Sequence, residues 1–317
     1  MAASAHANIS VLYIHPDSTQ EDLNYKFEVS EENGLFRIMF MFRKAKCCLR
    51  LFAKLIDFNR YLKAHHLGLE QIKKYRGEPD LIHVHVMTRL AILAYIYKLF
   101  TGTPYLITEH WTRYLPIRKE FKGFFRKCMS RWVAKKAKAI LPVSEDLKQA
   151  MLSHKLSNKN YIIIPNVVDT DLFTPINKKE NNGIIQFVHL SCFTDNHKNI
   201  SGILRVLKKL SKNQNDFHCT FIGDGPDFEI LKNYAEELGI KKHLTFTGLL
   251  EGKAVAEQIK KADAMLLFSN HENLPVVMLE SYACGVPIIS TNVGGIHEHV
   301  NKHLGRLVKE AMRKVLS

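Results

Sequence analysis

Nowhere in the 317 residues does an uninterrupted apolar run reach the ~18 residues that a membrane span needs, so no integral membrane segment is expected. Residues 1–8 hold no basic stretch followed by an apolar run, so no secretory leader is expected either. The six cysteines, at 47, 48, 128, 192, 219 and 284, form neither C-x-x-C pairs nor a disulfide framework, and a reduced, cytoplasmic chain is the expectation. With 46% hydrophobic residues, 16 Gly and 10 Pro, the composition excludes disordered, collagen-like and low-complexity chains. No internal repeat is visible, and no helix-turn-helix, zinc-finger or RNA-binding sheet signature is present, so no nucleic-acid partner is expected.

What the chain does have is an unevenly placed positive charge. Residues 1–170 carry 27 Lys and Arg against 15 Asp and Glu, whereas residues 171–317 carry 18 against 16. A basic first half points to an acidic partner: nucleic acid, an anionic membrane surface or a phosphorylated ligand.

Apolar runs of buried-strand type alternate with amphipathic helical stretches. The first half reads as strands at 9–15, 81–86, 105–108, 139–143 and 161–164, with a helix at 88–100. A polar gap at 177–183 reads as a linker. The pattern then restarts, with strands at 184–190, 218–222, 244–247, 264–268 and 287–290 and helices at 200–211, 229–238, 254–260 and 276–283. Strands separated by helices imply parallel sheets with crossover connections. Two doubly wound α/β domains, 1–176 and 177–317, are expected to face one another across a ligand cleft at the strands' carboxyl ends.

Glu272 falls in the loop after the strand at 264–268, and Pro275 suits the first turn of the helix that follows. The amides of Asn273 and Leu274, with the helix dipole, make a seat for a phosphate oxygen. Glu280 lies in that helix, where a carboxylate can grip vicinal hydroxyls. For either Glu alone the plain reading is a capping carboxylate and an exposed helix residue. In the first half, Glu109, His110 and Arg113 follow a short strand and so lie at its carboxyl end. His83 and His85 share one strand face; a metal pair would need a third ligand that the spacing does not supply. Residues 113–138 hold ten basic residues and one acid, with Phe121, Phe125, Met129 and Trp132 at helical spacing. Such a stretch is either a core-packed helix with a cationic back or a helix that docks on anionic lipid.

Taken together, these motifs resemble glycosyltransferase family 4, retaining enzymes of the GT-B fold. The resemblance rests on Glu272 and Glu280 as Glu-x7-Glu, on Ala283-Cys284-Gly285-Val286-Pro287, and on Pro165-Asn166-Val167-Val168-Asp169 through Phe173. Gly223-Asp224-Gly225-Pro226, Val143-Ser144, Lys198-Asn199 and Val293-Gly294-Gly295 match in the same order. It implies sugar transfer from a UDP- or GDP-linked donor, without a metal or other cofactor, to a glycan or lipid-linked acceptor in cell-surface polysaccharide synthesis. By the same resemblance Glu272 contacts the donor sugar and His110 lies near the reacting centre. Glu280 meets the ribose, Gly223 to Gly225 the base, and Lys198, Asn273, Leu274, Pro275, Gly294 and Gly295 the phosphates. Glu109, Arg113 and His85 fall on the acceptor side.

The departures are specific. Ser191-Cys192 stands where the family has Gly-Arg, so a phosphate-contacting arginine is missing. The family's opening strand and glycine loop, and its last helices, have no counterpart here, which reads as a chain truncated at both ends. The Asp169-Thr170-Asp171 triplet, a metal motif in another fold, reads here as part of the inter-domain segment. A GT-B sugar-nucleotide epimerase and an inactive nucleotide-binding remnant are the alternatives. The location expected is cytoplasmic, peripheral at the inner face of the membrane through 113–138.

Overall fold

The computed structural model describes residues 6–17, 25–32, 34–45, 50–87, 89–176 and 183–308, with the side chains of 50 and 51 outside that set. The linker expected at 177–183 lies, but for Gly183, outside the described residues. The chain divides into two compact units, Met1–Leu81 and Ile82–Ser317.

In the first unit, β1 (Ile9–Asp17) runs parallel to β3 (Leu35–Arg43), and β2 (Tyr25–Glu32) pairs antiparallel with β3 on its other edge. Phe36, Ile38, Phe40 and Phe42 of β3 alternate inward, as a pleat with period two requires. They meet Ala64 and Ile72 of α1 (Arg50–Arg76), and these side chains form the core of the unit. Nothing between residues 15 and 81 is assigned in the sequence reading, so β2, β3 and α1 are additions to it.

The second unit holds two sheets. In the smaller, β4 (Ile82–His85), β5 (Tyr105–Glu109) and β6 (Ala139–Pro142) are parallel, with α2 (Arg89–Thr101) and α3 (Phe124–Lys136) in the connections. The helix α4 (Glu145–Ser153) follows β6, with Ser144 capping it through a bond from the Leu147 amide. The strand expected at 161–164 is reduced to extended chain beside β6, held by a single bridge at Tyr161 and by bonds from the Ile162 and Ile164 amides. It ends at Pro165, which has no amide proton to extend the ladder.

The larger sheet is six-stranded and wholly parallel: β7 (Ile185–Leu190), β8 (Phe217–Ile222), β9 (Leu244–Phe246), β10 (Ala264–Leu267), β11 (Ile288–Thr291) and β12 (Gly305–Val308). Helices α5 (Asp195–Lys198), α6 (Ile200–Leu210), α7 (Phe228–Glu237), α8 (Lys253–Lys261) and α9 (Val276–Ala283) lie in its crossovers. The spatial order is β12-β11-β10-β7-β8-β9, so the winding reverses between β7 and β10. In such a sheet the loops leaving the two strands at the reversal diverge and open a crevice for ligands. Those loops are Ser191–Cys192 and Ser269–Pro275, where the motifs lie.

Among the described residues no helix is long and apolar enough to cross a membrane. The apolar stripe expected at 121, 125, 129 and 132 is not one helical face. The chain turns at Gly123, which leaves Phe121 outside α3 and buried against Tyr114 and His154. The helix buries Val133 and Ala134 instead. Phe124 and Phe125 stand 80% and 83% exposed.

Candidate active site

The turn at Gly223 packs directly on the chain leaving β7. Gly223 has φ +128°, and a Cβ there would sit 1.9 Å from the Ser191 carbonyl oxygen, so no other residue fits. The close approach leaves beside it a cavity of about 430 Å³, lined among others by Phe173, Ser191, Cys192, Asp224, Leu250 and Glu280. Gly223, Asp224 and Glu280, assigned separately to base and ribose, therefore share one pocket. Burial pushes the Glu280 carboxyl above the usual range. Asp224 turns back to accept from the Gly225 amide at 2.7 Å. Behind the pocket, fully buried His189 bonds the Leu266 carbonyl through Nδ1 and Ser191 Oγ through Nε2. The carbonyl can only accept, so Nδ1 carries the proton and Nε2 accepts from the serine. Burial pushes His189 down to about 4.

On the other side of the reversal, Glu272 Oε1 accepts from Lys198 Nζ at 2.5 Å and from Ser269 Oγ at 2.8 Å. Lys198 and Glu272 are thus brought together from β7's and β10's loops. Pro275 opens α9, and Asn273 and Leu274 are buried ahead of it. Asn166 Nδ2 donates to the Leu274 carbonyl at 2.7 Å, which ties the segment after β6 to this loop. Gly294 has φ +53°, and a Cβ on it would meet the Glu272 carbonyl oxygen at 1.6 Å. A Cβ on Gly295 would meet Ser144 Cβ at 2.6 Å and the Asn273 carbonyl oxygen at 2.7 Å. Protein contact alone thus demands both glycines.

The carboxyl end of β5 gathers His110, His85 and His83. The rings of His85 and His110 stack at 5.8 Å, and His83 is 4.4 Å from His85. His83 Nε2 bonds Thr108 Oγ1 at 2.6 Å. Burial, then the charge of His85, lowers the pKa of His110. The His110 carbonyl accepts from Asn273 Nδ2 at 2.6 Å, placing this end of the smaller sheet against the Glu272 loop. That bond fixes the amide's orientation and leaves Asn273 Oδ1 buried without a partner among the described residues. Arg113 stacks its guanidinium 3.6 Å from the centre of the Trp111 ring.

Glu109 departs from the expectation of an acceptor-side residue. It is fully buried, and its carboxylate accepts from the amides of Met87, His110 and Trp111 at 2.8–3.0 Å. Two amides of that loop start and one of the segment after β4 are met by one side chain, so Glu109 builds the loop. Asp169 is spent in the same way, on the amides of Asp171 and Leu172. Among the described residues no group of three or more His, Cys, Asp or Glu is placed to hold a metal ion.

Two junctions escaped the sequence reading. Arg118 Nη1 lies 2.9 Å from both His197 Nε2 and His271 Nε2, and Nη2 pairs with Glu120. A guanidinium only donates, so both imidazoles accept and are neutral. Burial first, then the charge of Arg118, pushes His271 down to about 4 and lowers His197. Glu298 accepts from the Glu145 and Asp146 amides at 2.9 and 2.8 Å and so caps α4. Each pair is separated by 79 residues or more in sequence, and no local pattern announces either.

Two family models match the chain in succession: "Glycosyltransferase Family 4" over residues 14–172 and "Glycosyl transferases group 1" over residues 171–315. Sucrose-phosphate synthase from Thermosynechococcus elongatus superposes with TM-score 0.73 at 17% identity, covering 99% of this chain and 81% of that one. Anabaena HepE, solved in complex with UDP and glucose, superposes at 0.64 and 15% identity, covering 88% of this chain and 75% of that one. Fold and winding define a protein of the GT-B architecture. More particularly, the chain belongs to glycosyltransferase family 4, with the group 1 module as its second half. Among curated relatives, N-acetyl-alpha-D-glucosaminyl L-malate synthase of Bacillus anthracis is 27% identical over 70% of this chain and 59% of its own length. The lipopolysaccharide 1,6-galactosyltransferase of Escherichia coli K12 is 29% identical over 52% of this chain and 47% of its own length. The chain thus spans about half to three-fifths of these relatives.

Proposed function

We propose that this chain carries the donor site of a retaining glycosyltransferase. A sugar moves from a UDP- or GDP-linked donor to a glycan or lipid-linked acceptor, in cell-surface polysaccharide synthesis. The observation that carries the reading is the pocket with Glu280 and the Lys198–Glu272 pair at one sheet reversal. A ribose fits against the Glu280 carboxylate, and the diphosphate then reaches toward Lys198 and the amides of Asn273 and Leu274. When the bond from the anomeric carbon to the diphosphate oxygen breaks, negative charge grows on the leaving group, and a cation held in advance stabilises it. Glu272, bound to that cation, meets the sugar. His110, joined through its carbonyl to Asn273, lies where an acceptor hydroxyl approaches. No step is assigned to a metal ion or cofactor.

The acceptor side also supports a peripheral membrane site. Phe124 and Phe125 at the start of basic α3 are exposed apolar side chains that adjoin Arg126 and Lys127 in the sequence. Vesicles rich in anionic lipid should retain the chain at low salt and release it as salt rises, and F124S/F125S should lose that retention.

The test of the transfer reading is a panel of nucleotide sugars read by thermal unfolding. One donor at a hundred times its Kd should stabilise the chain by about 2.7 kcal/mol, and an acceptor extract should then release the nucleoside diphosphate. Turnover of the donor with no acceptor would favour the epimerase, and binding without turnover the inactive remnant. No shift with any donor would end the reading.

A further inference from the structure

The phosphate end of the site lacks one cation by its own sequence, because Cys192 lines the pocket where the family resemblance has an arginine. Lys198 is the charge left in the β7 loop, and Glu272 already holds it. One more cation stands beside that pair, and it comes from the other sheet's connection. Arg118 follows the short helical turn Thr112–Tyr114 after β5. Its guanidinium bonds His197 and His271, the chain neighbours of Lys198 and Glu272 respectively. The two rings meet edge to face at 4.3 Å, and Nη1 bonds both of them. Both are neutral acceptors, so they orient the guanidinium without cancelling its charge. Its one carboxylate partner, Glu120, is 48% exposed and is screened by water. Arg118 itself is mostly covered, and its Nε–H has no acceptor among the described residues. An arginine packed at a site with an unspent donor has capacity for an anion.

We propose that Arg118 is the second cation for the donor's diphosphate, supplied from the segment after β5 in place of an arginine at position 192. His197 and His271 are the positioning residues that aim it. This rests on the donor-site reading above, and it makes diphosphate binding depend on a residue outside the six-stranded sheet. A donor would then draw on both sheets of the second unit, and a nucleoside without phosphates on one.

The test is calorimetric titration of the full chain with UDP, GDP, uridine and guanosine. A charge-assisted hydrogen bond contributes ~1.5–3 kcal/mol, so Arg118→Gln should weaken the preferred nucleoside diphosphate by about tenfold or more while leaving its nucleoside unchanged. Arg118→Lys, which keeps the charge without the planar fork, should fall between the two. In R118Q/C192R the arginine returns on the β7 loop, and diphosphate binding should recover. Equal affinity for the diphosphate in R118Q and the unaltered chain would overturn the proposal. So would an equal loss for nucleoside and diphosphate, which would mark Arg118 as a purely architectural clasp. If the unaltered chain binds neither UDP nor GDP, the donor-site reading itself fails, and that result is separate from both.

Discussion

The carboxyl ends of β5 and β10 each launch a loop with a glutamate near its start, yet the two side chains are used in opposite ways. Glu109 is sealed in the interior and spent on three backbone amides, whereas Glu272 is bound by a side-chain ammonium and a side-chain hydroxyl. Amides cannot move away without unfolding the loop. An ammonium and a hydroxyl can swing to a ligand. Topological position alone thus does not tell an architectural carboxylate from one free for chemistry; the identity of its donors does.

Glu109→Ala would break the comparison most strongly. Leaving three buried amides without an acceptor costs about 3 kcal/mol or more, to be read as a lowered urea midpoint. Unchanged stability would put Glu109 among the functional residues after all. Glu272→Gln should instead lower the transfer rate by about a hundredfold, with a stability loss well below that of Glu109→Ala. Glu280→Gln sharpens the contrast in the pocket beside Gly223. Losing a charge-assisted bond of ~1.5–3 kcal/mol should weaken nucleoside and nucleoside diphosphate alike, unlike any change at Arg118. Unaltered affinities in calorimetry would remove Glu280 from the pocket's chemistry.

The last effect is one of pH. His189 and His271 are held near 4, below the ordinary histidine value of 6.5. The unfolded chain therefore takes up protons below about pH 6.5 that the folded chain refuses until about pH 4. Stability should be level, as far as these two groups go, above pH 6.5 and should fall as pH drops from 6.5 toward 4. His271→Gln should flatten part of that slope in urea titrations at pH 7, 6 and 5. An unchanged slope would mean that His271 is not held neutral by Arg118 and burial.

Much of this was legible in the residues, for physical reasons that differ by region. Five of the six parallel strands announce themselves because strands buried on both faces read as continuous apolar runs; the edge strand β12, only four residues long and half-buried, does not. Gly223 and Gly294 are legible because a backbone that passes within contact distance of another tolerates only glycine. The alternation of Phe36, Ile38, Phe40 and Phe42 was equally plain and should have marked β3. The helix around 121–132 was misread in extent because Gly123 resets the turn and takes Phe121 out of register. The contacts of Arg118 and Glu298 could not be read at all. They join residues distant in sequence, and neither a basic run nor a Gly-Gly turn encodes its partner.

Glu298 has one more consequence. A helix start is a natural seat for an anion, and at α4 the protein fills that seat with its own side chain from the turn Gly294–Glu298. The same turn abuts Glu272 through Gly294. Anything that displaces the turn when a ligand settles must therefore lift a stopper from α4 and bare the amides of Glu145 and Asp146. Those two amides are a built-in gauge: their hydrogen–deuterium exchange reports the state of the Glu272 loop from a helix that no ligand need touch.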